Sequence, residues 1–204
     1  MIGIIDYGVG NLFSLRSSFS FIGADAVVTS SEKELAGCSH IILPGVGAFA
    51  DAVAKLRRTG LDRAVMRETA AGKPLLGICL GMQMLFEKSY EYGCHEGLGL
   101  VRGAVRPIRD VISDELKIPH IGWNKLRFTP DLPKSPIFKY IDEGDFVYFV
   151  HSYYGADCDC VTATSDYGVP LTAAVQNGNV FGTQFHPEKS GQVGLSILRA
   201  FCEI

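Results

Sequence analysis

The sequence predicts an α/β protein: a mixed, mostly parallel sheet flanked by helices in three layers, with antiparallel strands added in the second half. Three observations carry this. Short apolar runs alternate with helical patterns through roughly the first ninety residues, the βαβα rhythm of a parallel sheet covered on both faces. Beyond about residue 100 helical patterns become rare and strand-like segments follow one another. Asn177-Gly178, set between two such segments, is a strong hairpin signal.

In chain order, residues 2–6 read as a strand and 11–22 as a helix. Residues 26–29 form a second strand and 32–36 a short helix. Residues 40–43 are a third strand, followed by helical stretches over 48–56 and 61–71. Residues 75–78 are a fourth strand running into a turn, and the stretch from Met82 to Glu87 is again helical. Strand-like segments then occupy 103–108, 125–128, 146–150, 161–165, 172–176 and 179–184, and a last helix spans 191–202. The polar stretch 110–117 reads as an exposed loop. No repeat, low-complexity tract or linker interrupts the chain, so its 204 residues are read as one domain, 1–204.

A hydrophobic fraction of 47% can fill a sizeable core, and a net charge of −3 without a long basic run gives nucleic acid or an anionic membrane nothing to bind. No signal peptide and no bilayer-spanning apolar run is read, so a cytoplasmic protein is expected. Six cysteines in a chain of this size are not a disulfide scaffold. Cys158 and Cys160 form a C-x-C, but the spacing matches no common zinc pattern; no metal and no cofactor is expected.

The chemistry concentrates at Gly77-Ile78-Cys79-Leu80-Gly81. A strand, a sharp turn and a helix place Cys79 on a nucleophile elbow. The flanking glycines let the chain bend tightly and a substrate approach. The helix beginning after Cys79 aims backbone N–H groups at the sulfur and favours thiolate. A nucleophile needs a base and the base an orienter. A buried strand ending in His186-Pro187-Glu188 supplies both: His186 to take the thiol proton, Glu188 to hold the imidazole. The separation along the chain is no obstacle, because triads assemble in space.

Further segments narrow the reading: Ile5-Asp6-Tyr7-Gly8-Val9-Gly10-Asn11-Leu12, Leu43-Pro44-Gly45-Val46-Gly47-Ala48-Phe49, Pro119-His120-Ile121-Gly122-Trp123-Asn124, Tyr148-Phe149-Val150-His151-Ser152-Tyr153, and Gly182-Thr183-Gln184-Phe185-His186-Pro187-Glu188-Lys189-Ser190. With the elbow, these make the chain resemble, from first residue to last, the class I (triad) glutamine amidotransferases, in particular the branch serving histidine biosynthesis. The resemblance implies a flavodoxin-like fold and glutamine hydrolysis by Cys79, His186 and Glu188. It implies oxyanion donors on the backbone N–H groups of Leu80 and Val46, and glutamine binding by Gly47, Gln83, Ser152 and Tyr153. It places Asn11, Trp123, Asn124, Tyr148 and Lys189 at a mouth facing a partner. That partner is a separate (β/α)8-barrel cyclase subunit, which uses the ammonia to make imidazole glycerol phosphate and an aminoimidazole carboxamide ribotide. His120 and His151 are read as structural histidines. Two rival readings stand beside it. A paralogous glutaminase could feed another synthase, such as one building an amidino sugar. A protein of related three-layer fold could be a non-catalytic binding protein.

Overall fold

The computed structural model describes residues 1–130 and 132–204. The first half alternates as expected: β1 (Ile2–Ile5), α1 (Leu12–Phe21), β2 (Ala26–Thr29), α2 (Glu32–Gly37), β3 (His40–Leu43), α3 (Phe49–Arg58), α4 (Leu61–Ala70), β4 (Leu75–Ile78) and α5 (Leu80–Leu85). The second half supplies β5 (Phe86–Ser89), β6 (His95–Glu96), β7 (Val101–Pro107), β8 (His120–Lys125), β9 (Arg127–Phe128), β10 (Phe146–His151), β11 (Tyr153–Ala156), β12 (Val161–Asp166), β13 (Pro170–Asn177), β14 (Val180–Thr183) and the closing helix α6 (Gly191–Cys202).

Eight strands form the main sheet in the order β2-β1-β3-β4-β14-β13-β12-β9. The first five run parallel, β14 pairing in parallel with β4. The continuous apolar runs of the central strands follow from this, since a sheet covered on both sides buries every residue of its inner strands. Successive side chains point to opposite faces. Ile4, Ile42 and Leu76 therefore enter one core with Leu15, Phe181 and Phe201, while Ile5, Ile41 and Leu75 enter the other with Leu35, Phe49 and Val65. Helices α1 and α6 cover the first face, and α2, α3 and α4 the second.

The second half departs from the expected arrangement in three ways. Only β13, β12 and β9 are antiparallel additions to the main sheet. β8 and β10 form a separate two-stranded antiparallel sheet, and β11, β7, β5 and β6 a four-stranded one. The helix after the elbow ends at Leu85 rather than Glu87. Phe86 opens β5 and buries its ring where Gly155 leaves room, a Cβ there lying 2.2 Å from that ring. The turn after Asn177 matches its sequence signal, with Gly178 at φ 57° joining β13 to β14. The 110–117 stretch is mostly exposed as expected, though Ile112 is buried.

Candidate active site

β4 ends at Ile78, and the next residue, Cys79, takes φ 55° and ψ −112°, a conformation L-residues seldom adopt. The strain is held by the sheet: the Cys79 N–H donates to the Thr183 carbonyl at 2.7 Å, continuing the β4–β14 ladder past its last pair, Ile78 opposite Thr183. Glycine is obligatory around the turn. A Cβ on Gly81 would lie 1.9 Å from the Leu43 carbonyl oxygen, one on Gly77 2.7 Å from the Gly81 oxygen, and one on Gly45 2.7 Å from the Gly81 nitrogen. Leu80 is the first residue of α5, so its N–H has no intrahelical acceptor.

Beyond β14 the chain turns so that the His186 N–H donates to the Tyr148 carbonyl at 3.0 Å. His186 Nδ1 lies 2.8 Å from Glu188 Oε1, both side chains almost completely buried. With Nδ1 donating to the carboxylate, Nε2 is left for the cavity that Cys79 and His186 both line, about 590 Å³ in volume. Burial acts to lower the His186 pKa, but the adjacent Cys79 sulfur and the Glu188 carboxylate outweigh it and raise it to about 9. The arrangement keeps a proton on the imidazole beside the sulfur, ready for a leaving group.

Val46 and Gly47 line the same cavity, exposed and with Gly47 at φ 96°. Two contacts invisible in the sequence pin the segment that carries them. The buried Tyr7 hydroxyl donates to the Pro44 carbonyl at 2.7 Å, and the Phe49 N–H donates to Glu91 Oε2 at 2.5 Å, a carboxylate at the N-terminus of α3. Gln83, Ser152 and Tyr153 are also on the cavity wall. Gln83 is buried, not solvent-facing, and its Nε2 donates to the Tyr153 carbonyl and to Gln184 Oε1, both at 3.0 Å.

At the mouth, Trp123 and Tyr148 are cross-strand partners on β8 and β10 with ring centroids 6.1 Å apart, and Lys189 Nζ lies 6.0 Å from the Tyr148 ring. Trp123 is 54% exposed, an aromatic of the kind that anchors interfaces. Asn11 caps α1, its Oδ1 accepting from the Ser14 N–H at 3.4 Å. Asn124 is separated from this cluster: it follows Trp123 on the other face of β8 and donates to the Asp166 carbonyl at 2.6 Å. Outside the cavity, Cys158, Asp159 and Cys160 bring ligand atoms within 4.8 Å of one another, with the two sulfurs 3.2 Å apart.

His120 and His151 form a buried pair. His151 Nδ1 meets the Tyr153 carbonyl at 2.9 Å and so carries a proton, which makes its Nε2 the acceptor for His120 Nδ1 at 3.0 Å. The His120 ring stacks between Phe149 and Tyr167. Burial lowers the pKa of His120 to about 4 and of His151 to about 3. Unfolded histidines near 6.5 bind protons that these two refuse, so their contribution to stability is lost as pH falls from about 6.5 toward 4. His186, raised to about 9, has the opposite sign: its contribution is full below about 6.5 and is lost as pH rises toward 9. Urea midpoints measured from pH 4 to 9 should therefore pass through a maximum near 6.5. His120→Phe, which keeps the stack, should flatten the acid limb; an unchanged limb would show that the pair does not stay neutral.

The Glutamine amidotransferase class-I family profile matches residues 4–203. The chain is 48% identical to the imidazole glycerol phosphate synthase subunit HisH of Caldanaerobacter subterraneus subsp. tengcongensis, covering 100% of this chain and 98% of that one. It is 50% identical to the subunit of the same name from Geobacillus thermodenitrificans, covering 100% and 96%. Among solved structures, one described as PurLQS from Thermotoga maritima superposes with a TM-score of 0.74 at 21% identity over 99% of this chain and 97% of that one, a likeness of fold. Among the described residues no helix is long and apolar enough to cross a membrane.

Proposed function

The chain belongs to the class-I glutamine amidotransferases, and from that premise we propose that it is the glutaminase subunit of an imidazole glycerol phosphate synthase. It acts as a single amidotransferase domain over residues 1–204, in the cytoplasm. The observation that carries the reading is the convergence of the Cys79 sulfur and the His186 imidazole on one cavity, with the buried Glu188 carboxylate holding the imidazole from behind, in a chain about half identical to HisH subunits along its whole length.

In this reading the Cys79 thiolate attacks the carbonyl carbon of the glutamine side-chain amide. The oxygen that gains the electron pair is met by the Leu80 N–H and, when its peptide faces the cavity, by the Val46 N–H. His186 gives its proton to the departing nitrogen, so ammonia leaves and a γ-glutamyl thioester remains. A water that loses its proton to His186 then attacks the thioester, releasing glutamate and returning sulfur and imidazole to their starting charges. Gly47, Gln83, Ser152 and Tyr153 hold the glutamine. Ammonia protonated in bulk water is no longer a nucleophile, so it passes directly to the cyclase subunit. The Trp123–Tyr148–Lys189 face, with Asn11, meets that subunit; Asn124 supports it from behind.

The test is glutamate release by the chain alone, then with the cyclase subunit and its nucleotide ligand. Slow hydrolysis alone, rising at least about tenfold in the ternary mixture, is the expected result. Hydrolysis indifferent to this cyclase would assign the chain to another synthase, and no hydrolysis in any mixture would overturn the reading.

A further inference from the structure

Gln184 has no place in the reaction as derived so far. It is fully buried between the end of β14 and His186, and its side chain reaches the candidate nucleophile: Nε2 lies 3.7 Å from Cys79 Sγ. At that distance the meaning depends on which end of the amide faces the sulfur. The surrounding hydrogen bonds decide this.

The Tyr153 backbone carbonyl is an acceptor only. The Gln83 atom 3.0 Å from it is therefore the NH2 group. That same nitrogen lies 3.0 Å from Gln184, so the Gln184 atom meeting it is the carbonyl oxygen. The Gln184 NH2 is then the end turned to Cys79. One fixed carbonyl on β11 thus sets the polarity of a chain of donors running Gln83, Gln184, Cys79. The reverse orientation would oppose two NH2 groups and put an oxygen lone pair against the sulfur.

A second contact at the sulfur gives this orientation a consequence. Cys79 Sγ also lies 3.9 Å from the Val150 carbonyl oxygen. A carbonyl accepts a proton from a thiol and repels a thiolate; an N–H donor does the reverse. We propose that Gln184 is a further member of the active site, a directed N–H donor that offsets the Val150 carbonyl and holds the Cys79 sulfur as the attacking thiolate. The inference rests on Cys79 being the nucleophile of the glutaminase reading. It adds that the thiolate needs Gln184 as well as His186, and that Gln83, besides its place on the glutamine side of the cavity, keeps Gln184 the right way round.

The experiment follows the alkylation rate of Cys79 by iodoacetamide against pH, read on the Cys79 peptide by mass spectrometry, in the intact chain bound to its cyclase. Gln184→Met removes the donor. Gln184→Glu keeps the acceptor for Gln83 and turns an oxygen to the sulfur. In Gln184→Met the alkylation midpoint should rise by about one pH unit, and the rate below the midpoint should fall about tenfold. In Gln184→Glu the shift should be larger. A purely packing role would lower the melting temperature and leave the midpoint where it was; an unmoved midpoint in a folded variant overturns the proposal. Should neither variant fold, the unaltered chain decides. The Gln184 side-chain amide resonances must move with pH at the Cys79 midpoint and stop moving once Cys79 is alkylated; resonances indifferent to both overturn it. Alkylation uses no glutamine, so the two readings separate. A chain that fails to hydrolyse glutamine but shows the shift loses the glutaminase reading alone, and one that hydrolyses glutamine without the shift loses only the role of Gln184.

Discussion

Cys79→Ala, assayed in the complex with the cyclase, should release glutamate at least about 10⁴-fold more slowly than the unaltered chain. The alanine keeps the small side chain and the unusual backbone of the elbow, so the sheet pairing from the Cys79 N–H to Thr183 and the cavity around it should survive. What is lost is the atom that forms the thioester in the proposed reaction. His186, the Leu80 N–H and the cavity wall can still orient a water, but without a covalent intermediate their combined effect should be small. Cys79→Ser should behave almost as badly. A serine hydroxyl ionises far less readily than a thiol and is a poor replacement nucleophile in the same surroundings. Two controls isolate the chemistry. The melting temperature should change little, and the cyclase supplied with ammonium salt should turn over as before. Glutamate release within tenfold of the unaltered complex would remove Cys79 from the reaction.

Gly81→Ala should be among the most damaging single-methyl changes in the protein, costing about 3 kcal/mol or more, or preventing folding altogether. The added carbon would fall 1.9 Å from the Leu43 carbonyl oxygen, where the end of β3 passes the first turn of α5. Both partners are backbone, and both belong to elements fixed by the sheet, so neither can swing aside as a side chain would. Relief requires β3 and the elbow to separate, which moves Cys79 from His186 and Pro44 from the helix start together. Gly37→Ala is the matched control: nothing lies within 4 Å of the new carbon, and stability should stay within about 0.5 kcal/mol. Urea denaturation of both variants measures the contrast; similar midpoints would mean that the elbow is far more compliant than its contacts imply.

The parts of this molecule that are legible from its sequence are those whose cause is local. β1, β3 and β4 are apolar runs because both faces of the sheet are covered, and a run of four such residues reads as a strand without knowing its neighbours. The elbow is legible because its tight contacts demand glycine on both sides of Cys79. β8 is not legible, for the opposite reason. It turns His120, Gly122 and Asn124 inward and Ile121 and Trp123 outward, inverting the usual pattern where the strand faces the mouth of the site. β5 begins on the residue after α5 ends, leaving no turn signal between them. Tyr7, Glu91 and Gln184 escaped the sequence reading because each acts on a residue 37 to 105 positions away, a pairing that only the folded topology supplies.

The segment between the Tyr7 and Glu91 anchors also settles where freedom of movement resides. The distance from sulfur to imidazole is set by neighbouring strands of one sheet, in register through Ile78 and Thr183, and changing it means shearing the centre of the protein. Val46 and Gly47, by contrast, lie between two clamped ends with a glycine on either side of the Val46 peptide, so that peptide can rotate while its surroundings stay still. One part of the site is as stiff as the core and the other has the stiffness of a single peptide unit. A weak push at the mouth can act only on the second. In the proposed glutaminase, a docked subunit would thus set the turnover rate by rotating one amide, leaving Cys79 and His186 undisturbed.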